Sequence, residues 1–143
     1  MINFIVGPPN VGKTYFRKHT FGEVPTVDIW DYQFYGMTVG DVWESYKNTQ
    51  RDLVKTIKET EERPIILEHT LLKAKRRIPY IEAVREVTDE EINCYVILPT
   101  MKKYEEYCEK NGMPTEYARN VIREFEIPTK EEGFDNVYIV RTF

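Results

Sequence analysis

"GPPNVGKT", residues 7–14, stands almost at the start of the chain and fits the spacing G-x-x-x-x-G-K-[ST] of a phosphate-binding loop. In such a loop, phosphate oxygens are held by successive backbone N–H groups and by the positive end of the following helix. Gly7 and Gly12 permit backbone angles and close approaches that a side chain blocks, and Pro8, Pro9, Asn10 and Val11 form the arch between them. Lys13 reaches the β/γ-phosphates of a nucleoside triphosphate, and the Thr14 hydroxyl is placed for Mg²⁺. By average residue usage, the four fixed positions match by accident in roughly one of a few hundred chains of this length.

The flanks supply the context the loop requires. "INFIV" (2–6) is a continuous apolar run ending at Gly7, the pattern of a strand buried on both faces, and "TYFRKHTF" (14–21) reads as a first helix. "PTVDIWD" (25–31), β-branched and bounded by Pro25, reads as a second strand. From Thr38 to Arg63 a helix is expected on the stripe Val39, Val42, Trp43, Tyr46, Leu53, Val54 and Ile57, with a polar break at Asn48 to Arg51. "PIILEHT" (64–70) and "INCYVILP" (92–99) are further buried strands, and "NVYIV" (136–140) is the last. Between them "KAKRRIPYIEAVREV" (73–87), "KKYEEYCEK" (102–110) and "TEYARNVIREFE" (115–126) read as helices, with Pro79 expected near a first turn.

Strands alternating with helices imply right-handed crossovers, a parallel sheet covered on both faces, and one domain over residues 1–143. A ligand then sits beyond the carboxyl ends of the strands, where Gly7, Asp28, Asp31, Glu68, His69 and Pro99 all fall.

Bulk properties narrow the classes. A net charge of −4 argues against a broadly basic nucleic-acid binder, although it leaves room for a local basic pocket. Cys94 and Cys108 have neither metal-ligand spacing nor the pattern of a disulfide framework, so a reducing compartment is expected. No apolar run approaches membrane-spanning length, and "MINFIVG" is too short and too uncharged for a signal peptide, so a cytoplasmic protein is expected.

A phosphate loop also needs a carboxylate for the metal and a group that orients the acceptor. "PIILE" ends in Glu68, which can face Mg²⁺ through water. The second strand offers Asp28 and Asp31, either of which can take up or orient an acceptor hydroxyl proton. "KAKRR" (73–77) is the densest basic cluster and reads equally as a solvated helix face or as an anion site, with Arg76 or Arg77 forking onto phosphate. His69 reads as structural, Arg17 and Lys18 as surface charges, and Trp30, Tyr32, Phe34 and Tyr35 as core or a base-stacking platform. A lid is expected in "CEKNGMPTEYAR" (108–119), where Lys110 and Arg119 are the cations available to close on ATP.

With these residues in view, nearly the whole chain resembles the kinase domain of polynucleotide 5′-kinases and related small phage P-loop kinases. "GPPNVGKTYFRK" matches the family's start, which extends the expected nucleotide contacts to Tyr15. "VDIWDYQ" is similar to the segment that carries the acceptor base, and the resemblance favours Asp31 for that role. "IILEHTLLKAKRR" is similar to the end of the family's third strand, and "FEIPTKEEGFDNVYIV" to the end of the kinase domain in animal polynucleotide kinase-phosphatases. The resemblance implies a P-loop three-layer α/β sandwich of about five parallel strands in the order 2-3-1-4-5. It further implies ATP with Mg²⁺, transfer to a nucleic-acid 5′-hydroxyl or a nucleotide, and, for a phage protein, a host cytoplasm. The chain departs from the family at Ile29, Trp30 and Asp31, which replace an Arg-Asp pair, and in a lid without paired arginines. These departures leave a small-metabolite kinase and a nucleotide-binding regulatory module as rival expectations.

Overall fold

The structure is a computed structural model that describes residues 1–9, 11–28 and 38–141. Five strands, β1 (Ile2–Val6), β2 (Thr26–Asp28), β3 (Ile65–His69), β4 (Ile92–Leu98) and β5 (Asn136–Arg141), form one sheet in the order β2-β3-β1-β4-β5. Every neighbouring pair is parallel. The helices are α1 (Lys13–Phe21), α2 (Val39–Glu59), α3 (Ala74–Arg85), α4 (Met101–Lys110) and α5 (Thr115–Glu124), with a 3-10 turn at Lys130–Glu132.

The pleat divides the apolar strand residues between two cores. Phe4, Ile65, Leu67, Cys94 and Val96 pack with Leu53 and Ile57 of α2 and with Tyr80, Ile81 and Val84 of α3. Ile5, Ile66 and Ile97 pack with Val11, Tyr104, Cys108 and Met113, and Phe16 and Tyr117 lie against that cluster. Strands β1 and β3 are buried throughout, as their uninterrupted apolar composition dictates.

Three local outcomes differ from the expectations. Helix α2 stops at Glu59 rather than Arg63: Thr60 is already extended, and Pro64 disfavours helical angles at Arg63. Arg63 instead donates to the carbonyls of Ile57 (3.4 Å) and Thr60 (2.8 Å), satisfying the frayed end. The polar break in α2 is bridged by Thr49, whose buried hydroxyl donates to the Ser45 carbonyl at 2.8 Å. Pro79 lies inside α3 rather than in its first turn, and the helix runs through it.

At the amino-terminal edge of the sheet, Glu90 accepts from Arg63 Nε at 2.6 Å, from the chain's amino terminus at 2.9 Å and from Thr88 at 3.0 Å. The Arg63 hydrogen bond is the main cause that lowers its pKa from 4.5 to about 2. A carboxylate depressed on folding stabilises the fold above its unfolded value and loses that contribution as pH falls through the folded one. Stability is therefore expected to drop between about pH 4.5 and pH 2. In acid denaturation followed by circular dichroism, Glu90→Gln should flatten that limb, and an unchanged limb would contradict the assignment.

Candidate phosphate-binding and acceptor site

The loop leaves the carboxyl end of β1, the middle strand of the sheet, and enters α1 directly at Lys13. At Gly7 a Cβ would stand 2.6 Å from the Ile97 carbonyl oxygen, so only glycine lets the loop pass this close to β4. At Gly12 the backbone has φ 103°, which L side chains rarely adopt. Helix α1 has no acidic residue in its first turn, so the positive end of its dipole is left for an anion.

Lys13 is only 8% exposed and donates to the carbonyls of Gly7 (2.9 Å) and Pro8 (3.0 Å) and to Thr70 Oγ1 at 3.3 Å. The ammonium thus ties the loop to the end of β3. Thr14 Oγ1 donates to Glu68 Oε2 at 2.6 Å, because β3 lies beside β1 with Glu68 level with Ile5. The other oxygen of Glu68 accepts from Arg17 Nε at 2.9 Å, with side-chain exposures of 14% for Arg17 and 8% for Glu68. The expectation of Arg17 as a surface charge is therefore corrected: one helical turn from Lys13, it orients the carboxylate. A cation at the fourth residue after the loop lysine was the available signal, and it became legible only with Glu68 beside it.

The turn after β3 is strained. Leu71 is buried with φ 42°, a conformation that costs a branched residue on the order of 1–3 kcal/mol. Its carbonyl accepts from Arg77 Nη1 at 2.7 Å. Arg77 is wholly buried and also donates to Glu132 Oε1 at 2.6 Å and Oε2 at 3.1 Å. The reading of Arg77 as a phosphate ligand is thus corrected. Its guanidinium is spent inside the protein, where it holds the turn that presents Thr70 to Lys13.

Arg76, by contrast, faces a cleft of about 400 Å³ that opens beside the loop at Pro9 and Thr70. Its guanidinium lies 4.5 Å from the Trp43 ring centroid and 5.5 Å from that of Tyr46. Lys73 and Lys75 share the cleft wall, with Glu124 the carboxylate among the lining residues. His69 is fully buried and stacks on Tyr46 at 5.1 Å.

The remaining named residues are distributed as follows. Asp28 is exposed and level with Glu68 on the neighbouring strand. It also borders a groove with Asp52 and Lys55 of α2. Asn10, Asp31, Trp30, Tyr32, Phe34 and Tyr35 lie outside the described residues. Tyr15 is exposed and stacks on His19 at 3.9 Å, along the outside of α1. Arg119 donates to Glu105 at 2.8 Å, a pair that joins α5 to α4. Lys110 is the last residue of α4. Among the described residues no group of three or more His, Cys, Asp or Glu could hold a metal ion. Nor is any described helix long and apolar enough to cross a membrane.

No family model matches the sequence, and no curated protein matches it. Solved structures do match the fold. A gluconokinase from Sinorhizobium meliloti 1021 is similar at 15% identity and TM-score 0.68, over 97% of this chain and 81% of that one. A provisionally assigned kinase from Chloroflexus aurantiacus j-10-fl is similar at 11% identity and TM-score 0.69, over 99% and 84%. A tunicamycin resistance protein from Deinococcus radiodurans is similar at 18% identity and TM-score 0.58, over 93% and 87%. The five-stranded parallel sheet in the order 2-3-1-4-5, with its flanking helices, is the three-layer α/β fold of P-loop kinases.

Proposed function

We propose that this chain transfers the γ-phosphoryl group of ATP to a hydroxyl of an anionic acceptor, a nucleic-acid 5′ end or a nucleotide. One observation carries the reading: Lys13, Thr14 and Glu68 are assembled at the loop, and a cleft walled by Lys73, Lys75 and Arg76 opens beside them. The loop amides and Lys13 bind the β/γ-phosphates, and the cleft cations bind the acceptor's phosphate. Asp31, or Asp28, orients the attacking hydroxyl. Arg119 reaches ATP only by leaving Glu105.

The donors around Thr14 suit Mg²⁺, since a hydroxyl and a carboxylate are hard oxygen ligands. A kinase's Mg²⁺ takes its other ligands from phosphates and water, so a larger protein cluster is not needed. Thr14 and Glu68 would hold the ion, which when bound neutralises charge developing on the phosphate oxygens. Arg17 keeps Glu68 turned toward Thr14. Arg17→Ala is accordingly expected to raise the Mg²⁺ concentration for half-maximal transfer by about tenfold. Wild-type Mg²⁺ dependence in that variant would remove Arg17 from the site.

A second reading, a small-metabolite kinase, draws support from the neighbour that is a gluconokinase and from the net charge of −4. Transfer from [γ-³²P]-ATP separates the readings, with a 5′-hydroxyl oligonucleotide, nucleotides and sugar acids offered as acceptors. Label on an oligonucleotide or nucleotide supports the anionic acceptor. Label on a sugar acid or another non-nucleotide metabolite alone replaces it, and bound ATP with no transfer leaves a nucleotide-binding regulatory module.

A further inference from the structure

Outside the cleft, a second concavity of about 510 Å³ lies on the outer surface where α2 meets α3 at Ala83. Lys47, Arg51, Lys55 and Lys58 line it, all exposed and all from α2. Residues spaced by three or four recur on one helical face, so the four form a single row that rises roughly 16 Å along the axis.

The row is electrically unusual for this chain. Arg17, Arg63, Arg77, Arg85 and Arg119 each pair with a carboxylate. Among the described residues no ion pair joins Lys47, Arg51, Lys55 or Lys58 to a carboxylate, and Arg51 bonds only the neutral side-chain oxygen of Asn48 at 3.2 Å. Glu59 stands at the far end of the concavity, Asp28 and Asp52 line a neighbouring groove with Lys55, and Glu44 lines a hollow with Lys47 and Arg51, none of them in a described ion pair with the row. In a molecule with a net charge of −4, four cations are thus gathered on one helical face with no ion pair among the described residues.

The row also continues to the acceptor cleft. Lys47 and Arg51 share an adjoining hollow with Trp43, and the Arg76 guanidinium lies 4.5 Å from the Trp43 ring centroid. Trp43 is 48% exposed, which leaves ring surface at the junction on which a base can stack. A single phosphate cannot answer charges spread over this length, whereas a strand with a phosphate at every residue can. An acidic peptide would match the charge but offers the exposed indole an aromatic partner only where its sequence supplies one, whereas every nucleotide carries a base.

We propose that the α2 row is a binding track for the body of a single-stranded nucleic acid whose end enters the cleft at Trp43 and Arg76. The proposal deepens the acceptor reading and rests on it for the direction of the strand, though the track itself is testable by binding alone.

The test is fluorescence anisotropy with a 12-nucleotide single strand, labelled at its 3′ end and bearing a 5′-hydroxyl. Wild type is compared with Lys47→Gln/Arg51→Gln/Lys55→Gln/Lys58→Gln across 25–200 mM KCl. At low salt the variant should bind at least about tenfold more weakly, and four lost phosphate contacts should flatten the slope of log K against log salt by roughly 3. ATP binding and the circular dichroism spectrum should be unchanged, which shows that the variant is folded. No binding by wild type, equal affinity and slope in both proteins, or competition by poly-glutamate as strong as by unlabelled strand would each overturn the track. Transfer to the same strand is scored separately. Track-dependent binding without transfer supports the track and removes the strand as acceptor, and transfer that ignores the variant does the reverse.

Discussion

Lys13→Ala is expected to lower phosphoryl transfer by about 10³-fold, or some 4 kcal/mol in the barrier. A side chain only 8% exposed is screened less than one in bulk water, so its positive charge stabilises the negative charge developing on the transferred group more strongly than a solvated lysine would. The ammonium also binds the carbonyls of Gly7 and Pro8, next to the point where Gly7 is wedged against β4. Its loss should therefore loosen the loop as well as remove a cation. Lys13→Arg is not expected to rescue, because a planar fork cannot occupy the space of an ammonium between two carbonyls and a threonine. Single-turnover transfer at saturating ATP is the measurement, with thermal unfolding as the control for fold. Residual activity within tenfold of wild type would mean that the loop does not carry the chemistry.

Arg77→Met should have the largest effect on stability, about 3–5 kcal/mol, because it leaves a buried carboxylate without its partner. Glu132 is 7% exposed on its side chain and would keep only the Thr129 N–H, at 2.9 Å, among its described donors. The Leu71 carbonyl would lose its guanidinium at the one described non-glycine residue with positive φ. At roughly 2–4 °C per kcal/mol for a chain of this size, the Tm should fall by about 10 °C. Glu132→Gln in the same background removes the stranded charge and should recover a good part of the loss. Because Arg77 holds the Leu71 turn, the single variant should also weaken transfer through Thr70 and Lys13. A Tm within about 2 °C of wild type would show that the pair contributes little to the fold.

Much of the architecture was legible along the chain. Runs such as "INFIV" and "PIILE" read as strands covered on both sides, and their alternation with amphipathic helices gives a parallel sheet. The chemistry proposed for the loop was also legible, since its glycines, lysine and threonine are adjacent in sequence. Glu68 was also within reach, as the acid that closes an apolar strand. The element ends were less so: α2 ends four residues early at Glu59, and Pro79 sits inside α3 rather than in its first turn.

What the linear order could not disclose was the assignment of charges. In "KAKRR", Arg76 and Arg77 are consecutive and chemically identical, yet one faces the cleft against Trp43 and the other is wholly buried against Glu132. Successive helical residues diverge by about 100°, and which one turns inward depends on a carboxylate 55 positions away. Arg17 likewise acquires its place only because β3 lies beside β1 and delivers Glu68 to the start of α1. Local pattern determines where strands and loops form, because backbone geometry and hydrophobic periodicity act over a few residues. Which cations serve the site is decided by partners brought together from distant parts of the chain, and only the folded sheet brings them into range.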